Sequence, residues 1–414
     1  MRVLMLTQVL PYPPDSGPKV KTWNVIKYLA RDHAITLASF TRGDQSADVA
    51  HLRRYCEAVH TVPMERGVLQ DGPAMACSLV TGRPWMMLRD HRPAMARLVD
   101  RLARDGRFDV AHADQLNMAQ YALRVPARRV LDAHNALWTL YRRLAGTMPQ
   151  GPRRWLLERD WRLLRAYEGS MVRAFDAVLA VSDEDHAALL EAAGTRREIA
   201  VIPIAVDTDE VLPVARGAQA DHILHVGTMY WPPNIDGIRW FIEEVLPLIR
   251  AHRPEVVFDL VGARPPEWLL DLAARDPAIR VPGYVPDLTP YLETAGAFVV
   301  PLRAGGGMRV KILNAMAQGI PIVSTTLGAE GIAVEDGEHV LLADAPEAFA
   351  EATLRLLSDP GYAASLAARA RGLVESAYDM RSVGRYVSEV YAGLALGARM
   401  APHGFPGVSG EIGR

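Results

Sequence analysis

Cysteine is nearly absent from this chain: 414 residues carry only Cys56 and Cys77. Two isolated thiols exclude a disulfide framework and a Cys-ligated zinc site, and they suit a reducing compartment, so the expected location is the cytoplasm. An excess of either charge is missing too. The 48 acidic and 46 basic residues leave a formal charge of −2, without the basic footprint of a nucleic-acid-wrapping protein, and no nucleic-acid partner is expected. No run of about twenty apolar residues is present, which argues against a membrane-spanning helix. The N-terminal MRVLMLTQVLPYPPDSG is apolar but soon broken by prolines, with no small-residue cleavage site behind it, and reads as a buried first strand rather than a leader. A G-x-G-x-x-G turn is also lacking after that strand, which tells against an NAD-type oxidoreductase.

What is present describes a large globular protein. Half of the residues are hydrophobic and 23% are charged, and a chain of this length divides most naturally into two domains. Short apolar or β-branched runs recur at 3–7, 35–40, 59–62, 110–112, 130–133, 178–182 and 201–204, as fully buried parallel strands do. Between the first two, residues 20–31 place Val25, Ile26, Leu29 and Ala30 at helical spacing, as the crossover helix of a β-α-β unit would. A loop, VDTDEVLPVARGAQAD, then interrupts the pattern, and alternation restarts with HILHVG, VVFDLVG, IRVPGYV, AFVVPL, IPIVST and HVLLA.

The expected fold is therefore α/β, with two tandem Rossmann-like doubly wound domains facing an interdomain cleft at the carboxyl ends of their strands. The first spans 1–204 and is completed by a C-terminal helix at about 378–395, whose stripe is Val383, Tyr386, Val387, Val390 and Tyr391. The second spans 205–377. Residues 396–414, rich in Gly and Pro, are expected to form a loose tail.

The segment PLRAGGGMRVKILNAMAQGIPIVST carries the chemistry. A strand ends at PL, Gly305, Gly306 and Gly307 allow a ligand to approach the backbone, and a helix begins over 310–318. Backbone amides at a helix start favour an anion. Arg309 and Lys311 sit there two residues apart, one offering a planar fork and the other a point charge, and both suit a diphosphate. A solvated basic pair at an ordinary helix start is the bland alternative.

This segment resembles the donor-binding motif of the family-4 glycosyltransferases, which have the GT-B fold and retain anomeric configuration, and especially a bacterial subgroup with a Gly-Gly-Gly-Thr-Arg-x-Lys-x-x-Glu-Ala-Met-Ala pattern. PYPPDSG, VGTMYWPPNIDGIRWF, GYVPDL, and STTLGAEGI with EDGEHVLLAD resemble other signatures of the group in order and spacing, so the resemblance extends from about residue 1 to 395. It implies transfer of a hexosyl or related group from a nucleotide diphosphate-sugar, without metal or further cofactor. The acceptor would be a glycan, a lipid-linked molecule or a small molecule. Two departures stand out: Asn314 and Gly306 occupy the places where the family usually has the two Glu residues of Glu-x7-Glu.

Further site residues follow from the resemblance. His134 would lie near the transferred sugar, with a packed turn involving Asp132 and Asn135 as the alternative. Arg309, Lys311 and His134 are the expected catalytic residues. Gly227, Thr228, Tyr284, Val285, Met308, Asn314 and Glu330 join the three glycines as donor contacts, Tyr284 and Val285 through backbone atoms at the base. Asp15, Ser16 and Gly17 form a loop at the diphosphate or acceptor, or a plain Pro-Gly turn with Pro18, and His112 and Asp114 stand as acceptor contacts or as simple turn chemistry.

Asp207-Thr-Asp209 has the Asp-x-Asp form of some metal sites but lies in the linker, and no metal is expected. The basic, Trp- and Leu-rich stretch 141–173 either covers a core or touches a membrane surface peripherally. A non-catalytic sugar- or nucleotide-binding relative, or a sugar-nucleotide epimerase of the same fold, remains the alternative function.

Overall fold

The computed structural model describes residues 1–217 and 220–396. Most of the expected tail, residues 397–414, lies outside the described residues. The chain divides into two compact units. One comprises Met1–Ala205, Gly306–Met308 and the helix Met380–Leu396; the other comprises Val206–Gly305 and Arg309–Asp379.

The first unit holds a seven-stranded sheet of β1 (Arg2–Thr7), β2 (Ala34–Thr41), β3 (Ala58–Pro63), β4 (Val110–Asp114), β5 (Arg128–Asp132), β6 (Ala177–Ala180) and β7 (Ala200–Val201). Every pairing is parallel, and the order is β3-β2-β1-β4-β5-β6-β7. Helices cover both faces, so β1, β4 and β6 are buried almost end to end and read in the sequence as unbroken apolar runs. The last strand is shorter than the expected 201–204. After Ile202 donates to Ala180 at 2.7 Å, Pro203 has no N–H with which to continue the ladder.

Helix Gly17–Leu29 begins three residues before the expected position, with Pro18 in its first turn, where a missing N–H costs nothing and φ is already helical. Helix Met380–Leu396 packs on it. Gly384 permits that packing, because a Cβ there would collide with the Tyr28 ring. At its far end the Tyr391 hydroxyl reaches His112 Nδ1 at 2.8 Å.

The second unit repeats the plan with six parallel strands: β8 (His222–Val226), β9 (Phe258–Val261), β10 (Ile279–Gly283), β11 (Ala295–Val300), β12 (Ile322–Ser324) and β13 (Leu341–Leu342), ordered β10-β9-β8-β11-β12-β13. Its core is aromatic as well as aliphatic, with Phe241 set between Phe258 and Phe349. In each sheet the strand order reverses once, between β1 and β4 and between β8 and β11. The loops leaving the carboxyl ends of such a strand pair diverge, and the crevice they leave is where open α/β sheets take ligands. Both switch points carry residues singled out from the sequence.

Among the described residues, no helix is long and apolar enough to cross a membrane.

Candidate active site

At the switch point of the second unit, β11 ends at Val300 and the chain reaches the helix Val310–Ala317 through the glycine loop. Gly305 has φ +135° and Gly307 φ +77°, conformations that L side chains avoid. A Cβ on Gly305 would stand 2.8 Å from Arg309 Nη2, so the guanidinium lies close over this backbone. Arg309 is the N-cap residue and Lys311 lies in the first turn, where the first backbone N–H groups have no intrahelical acceptor and the helix dipole is positive. Met308 is buried.

Lys311 does not point to open solvent. Its ammonium stands 3.4 Å from Asn234 Oδ1 and 3.0 Å from the place a Cβ on Gly227 would occupy. The residue after β8 and the helix that follows the glycine loop thereby meet at one point. Asn234 also donates through Nδ2 to the Thr228 carbonyl at 2.8 Å, tying the turn after β8 to the next helix, Pro232–Trp240. Burial, then the neighbouring Arg309 cation, lowers the Lys311 pKa to about 7. An ammonium held in that state gains most from an arriving anion.

The other donor-site candidates are more dispersed. Asn314 lies one turn beyond Lys311 on the same helix face, half-buried. Tyr284, just after the left-handed Gly283, is 69% exposed, and Val285 behind it is half-buried. Glu330 is half-buried in the turn after β12, with its N–H on the Leu327 carbonyl at 3.4 Å.

The first unit's switch point holds a buried polar network that only part of the sequence pattern announces. Asp114 and Asp132 are register partners at the last positions of β4 and β5. Lys21, from helix Gly17–Leu29, is ion-paired with Asp132, and its neighbour Thr22 donates to Asp114 at 2.9 Å. Burial alone would raise the Asp132 carboxyl; Lys21, with His112, overrides it and holds the group well below the usual carboxylate range. Because an ionised carboxylate only accepts, the 2.9 Å contact between His134 Nε2 and Asp114 Oδ1 fixes the hydrogen on Nε2. His134 Nδ1 then faces the Gln115 side-chain amide at 3.5 Å. The alternative expected for His134, a turn with Asp132 and Asn135, is corrected in its partner: the ring hydrogen-bonds Asp114.

Gln115 has φ +73° and ψ 156°, a region that is almost exclusive to glycine and costs of order 1–3 kcal/mol. The strain lies directly beside His134. Its cause is readable: β4 must end at Asp114 with that side chain turned in to Thr22 and His134, and the chain must turn at once into the helix Leu116–Ala122.

His112 and Asp114 are 0% and 1% exposed and serve the interior of this network. Asp15 is exposed and paired to Lys19 at 3.0 Å, Ser16 is the exposed N-cap, and Gly17 opens the helix. Lys21, Thr22, Gln115 and Asn234 escaped the sequence reading. Lys21 and Thr22 sit on the helix face that also carries apolar residues, and a lysine inside an apolar stripe behind a first strand is the one signal that pointed to a buried carboxylate.

Among the described residues, His112, Asp114 and Asp132 are the one group whose donor atoms lie close enough together for a metal ion, within 4.8 Å of one another. Lys21 pairs with one carboxylate and Thr22 and His134 bond the other, while His112 Nε2 and Asp132 Oδ2, 3.7 Å apart, are buried without a hydrogen-bond partner. Asp207 turns its carboxylate to the Asp209 amide at 3.2 Å, an ordinary Asx turn.

The stretch 141–173 folds into the later part of helix Leu137–Thr147 and most of helix Pro152–Ala174. Trp138 and Leu164 are buried, Arg142 and Arg165 lie over the Trp138 ring at 4.7 and 5.3 Å, and Arg165 pairs with Glu191 at 3.0 Å. Within the stretch, Leu164 enters the core and Trp161 packs against it. Trp155 stays 59% exposed.

Comparison with known proteins addresses the two halves separately. Residues 17–210 match the family model Glycosyltransferase Family 4, and residues 220–359 match Glycosyl transferases group 1. The chain carries the paired domains of a glycosyltransferase family. The family-4 half thus contains the Asp114–His134 network, and the group-1 half contains Gly227, Lys311 and the glycine loop. An uncharacterized 44.6 kDa protein in the cps region of Klebsiella pneumoniae is 24% identical over 169 residues, 39% of this chain and 44% of that one. Glycogen synthase of Mycobacterium tuberculosis is 27% identical over 250 residues, 58% of this chain and 59% of the synthase. The matches thus span about half the length of these curated relatives. Among solved structures, Anabaena HepE in complex with UDP superposes with a TM-score of 0.66 over 95% of this chain and all of HepE, at 16% identity. With that likeness, the two Rossmann-like domains of this glycosyltransferase-family chain constitute the GT-B fold.

Proposed function

We propose that the protein transfers a sugar from a nucleotide diphosphate-sugar to an acceptor hydroxyl, with retention of anomeric configuration. The observation that carries this reading is the meeting of Lys311 with Gly227 at the switch point of the second sheet, beside the Arg309 N-cap and the positive-φ glycine loop. That arrangement suits a diphosphate and little else: two cations, a helix start and backbone that a ligand can approach closely. The paired family domains and the UDP bound by HepE favour the same ligand class.

In the reaction, the bond from the sugar's anomeric carbon to the diphosphate oxygen breaks, and its electron pair leaves with the diphosphate. The acceptor oxygen forms the new bond on the same face and gives its proton to the departing phosphate oxygen. Arg309, Lys311 and the first amides of helix Val310–Ala317 stabilise the charge that develops on the leaving group, the largest catalytic contribution such a site supplies. His134, with its ring fixed by Asp114, borders the transferred sugar. The buried His112 and Asp114 support it from behind. Gly306 and Met308 line the loop; Thr228, Asn314 and Glu330 contact the donor, and the backbone at Tyr284 and Val285 meets the base. Asp15, Ser16 and Gly17 face the acceptor or diphosphate. No metal enters. The acceptor is a glycan, lipid-linked or small molecule, and the exposed Trp155 with the surrounding arginines touches the membrane surface when the acceptor is lipid-linked.

Incubation with a panel of nucleotide diphosphate-sugars and acceptors, with free nucleoside diphosphate as the readout, tests this. Donor-dependent release that requires acceptor supports transfer. Binding without release under any donor would leave a non-catalytic sugar-nucleotide-binding protein instead.

A further inference from the structure

Lys311 is not alone over Gly227. A Cβ on that glycine would stand 3.2 Å from Asn234 Nδ2 and 3.2 Å from His225 Nε2, as well as 3.0 Å from Lys311 Nζ. Three nitrogens from β8, the Pro232–Trp240 helix and the Val310–Ala317 helix therefore converge on the Gly227 Cα, where an added Cβ would be tight. His225 is wholly buried. Its Nδ1 lies 2.9 Å from the Val299 carbonyl, an acceptor, so Nδ1 carries the hydrogen and Nε2 of the neutral ring carries a lone pair. That Nε2 is buried and has no hydrogen-bond partner.

An unsatisfied buried acceptor is costly, and the group facing it is a cation. Burial and then the Lys311 charge lower the His225 pKa well below its ordinary value, so the ring stays neutral and presents its lone pair. Arg309 and His225 are the titratable groups that face Lys311; Asn234 is neutral. We propose that His225 is a positioning residue, whose Nε2 acts with Asn234 Oδ1 to hold the Lys311 ammonium over Gly227, directly or through one water, aimed at the diphosphate oxygen. This rests on the reading of Lys311 as a diphosphate ligand.

The role separates from a packing role through pH. An ammonium that loses its acceptor gives up its proton more readily, and an anion binds the charged form alone. Calorimetric Kd values for UDP, GDP, ADP and dTDP are measured between pH 6 and pH 9 on the wild type, on His225→Phe, and on His225→Gln, which keeps an acceptor. The wild type binds one of the diphosphates and weakens as pH rises past about 7. In His225→Phe the midpoint of that loss moves down by about one pH unit, the size of a lost charge-assisted hydrogen bond, while affinity at pH 6 stays near wild type; His225→Gln restores the midpoint. His225→Leu replaces His225→Phe should the larger ring not fold. A wild type that binds none of the four overturns the diphosphate reading itself. Binding with the same midpoint in all variants overturns the role of His225 and leaves that reading standing.

Discussion

His134 gives its Nε2 hydrogen to Asp114 across 2.9 Å, and Asp114 takes the Thr22 hydroxyl with the same carboxylate. The ring orientation is thus set from the interior by a helix that follows β1, two strands away in the order of the chain. Replacing Asp114 with Asn keeps the shape and offers an amide that competes as a donor. Outer-shell partners that orient metal-bound histidines contribute about 10–100-fold to activity, and the same scale is taken for this ring. Asp114→Asn is expected to lower turnover by about that factor with the donor Kd little changed. Steady-state kinetics beside calorimetry checks the split.

Lys21 answers Asp132 inside the same unit, both side chains almost fully buried. Removing one member of a buried pair leaves an uncompensated charge, at a cost of about 3–5 kcal/mol. Lys21→Met should lower the denaturation midpoint accordingly, and Lys21→Met with Asp132→Asn should recover most of the loss. The sign with pH follows from the depressed Asp132 carboxyl: its contribution is present above the unfolded-state pKa and is lost as pH falls. The melting-temperature gap between Lys21→Met and wild type should therefore narrow in acid.

Glu168 behaves in the opposite sense. It is fully buried and accepts from the Leu137 and Trp138 amides at 3.0 and 3.2 Å, capping the helix Leu137–Thr147 from a neighbouring one. Burial outweighs those two donors and raises its pKa to about 8. The folded state then binds a proton that the unfolded chain releases near its ordinary value, so stability falls as pH rises from about 4.5 to about 8. Glu168→Gln keeps an acceptor and removes the titration. Thermal melts at pH 6 and pH 9 should show a smaller decline in the variant than in wild type.

Trp155 and Val80, 59% and 88% exposed, offer the apolar contact that peripheral membrane attachment would use. Cosedimentation with anionic vesicles should fall several-fold in Trp155→Glu with Val80→Asp while the fold is unchanged. Equal recovery of both proteins would remove the membrane contact from the account.

The double-wound plan was legible because parallel strands buried on both faces leave apolar runs at regular spacing, and each expected run overlaps an observed strand, although 201–204 shares only Val201 with β7. The glycine loop was legible for the same local reason: Gly305 and Gly307 take positive φ in place. The partners of the singled-out residues were not. Lys21 reaches Asp132 over 111 positions, and Asn234 reaches Lys311 over 77; such pairings come from topology, which no local pattern records. Gln115 is illegible for a different reason, since its backbone strain contradicts its own residue type and is imposed by what Asp114 holds.

The central claim is that Arg309 and Lys311 bind the diphosphate of a sugar nucleotide. Calorimetric titration of UDP, GDP, ADP and dTDP into the wild type and into Arg309→Ala/Lys311→Ala tests it most directly. The account predicts saturable binding of one diphosphate by the wild type, and loss of about 100-fold or more in the folded double variant, the scale of two charge-assisted contacts. Wild-type affinity in that variant would contradict it.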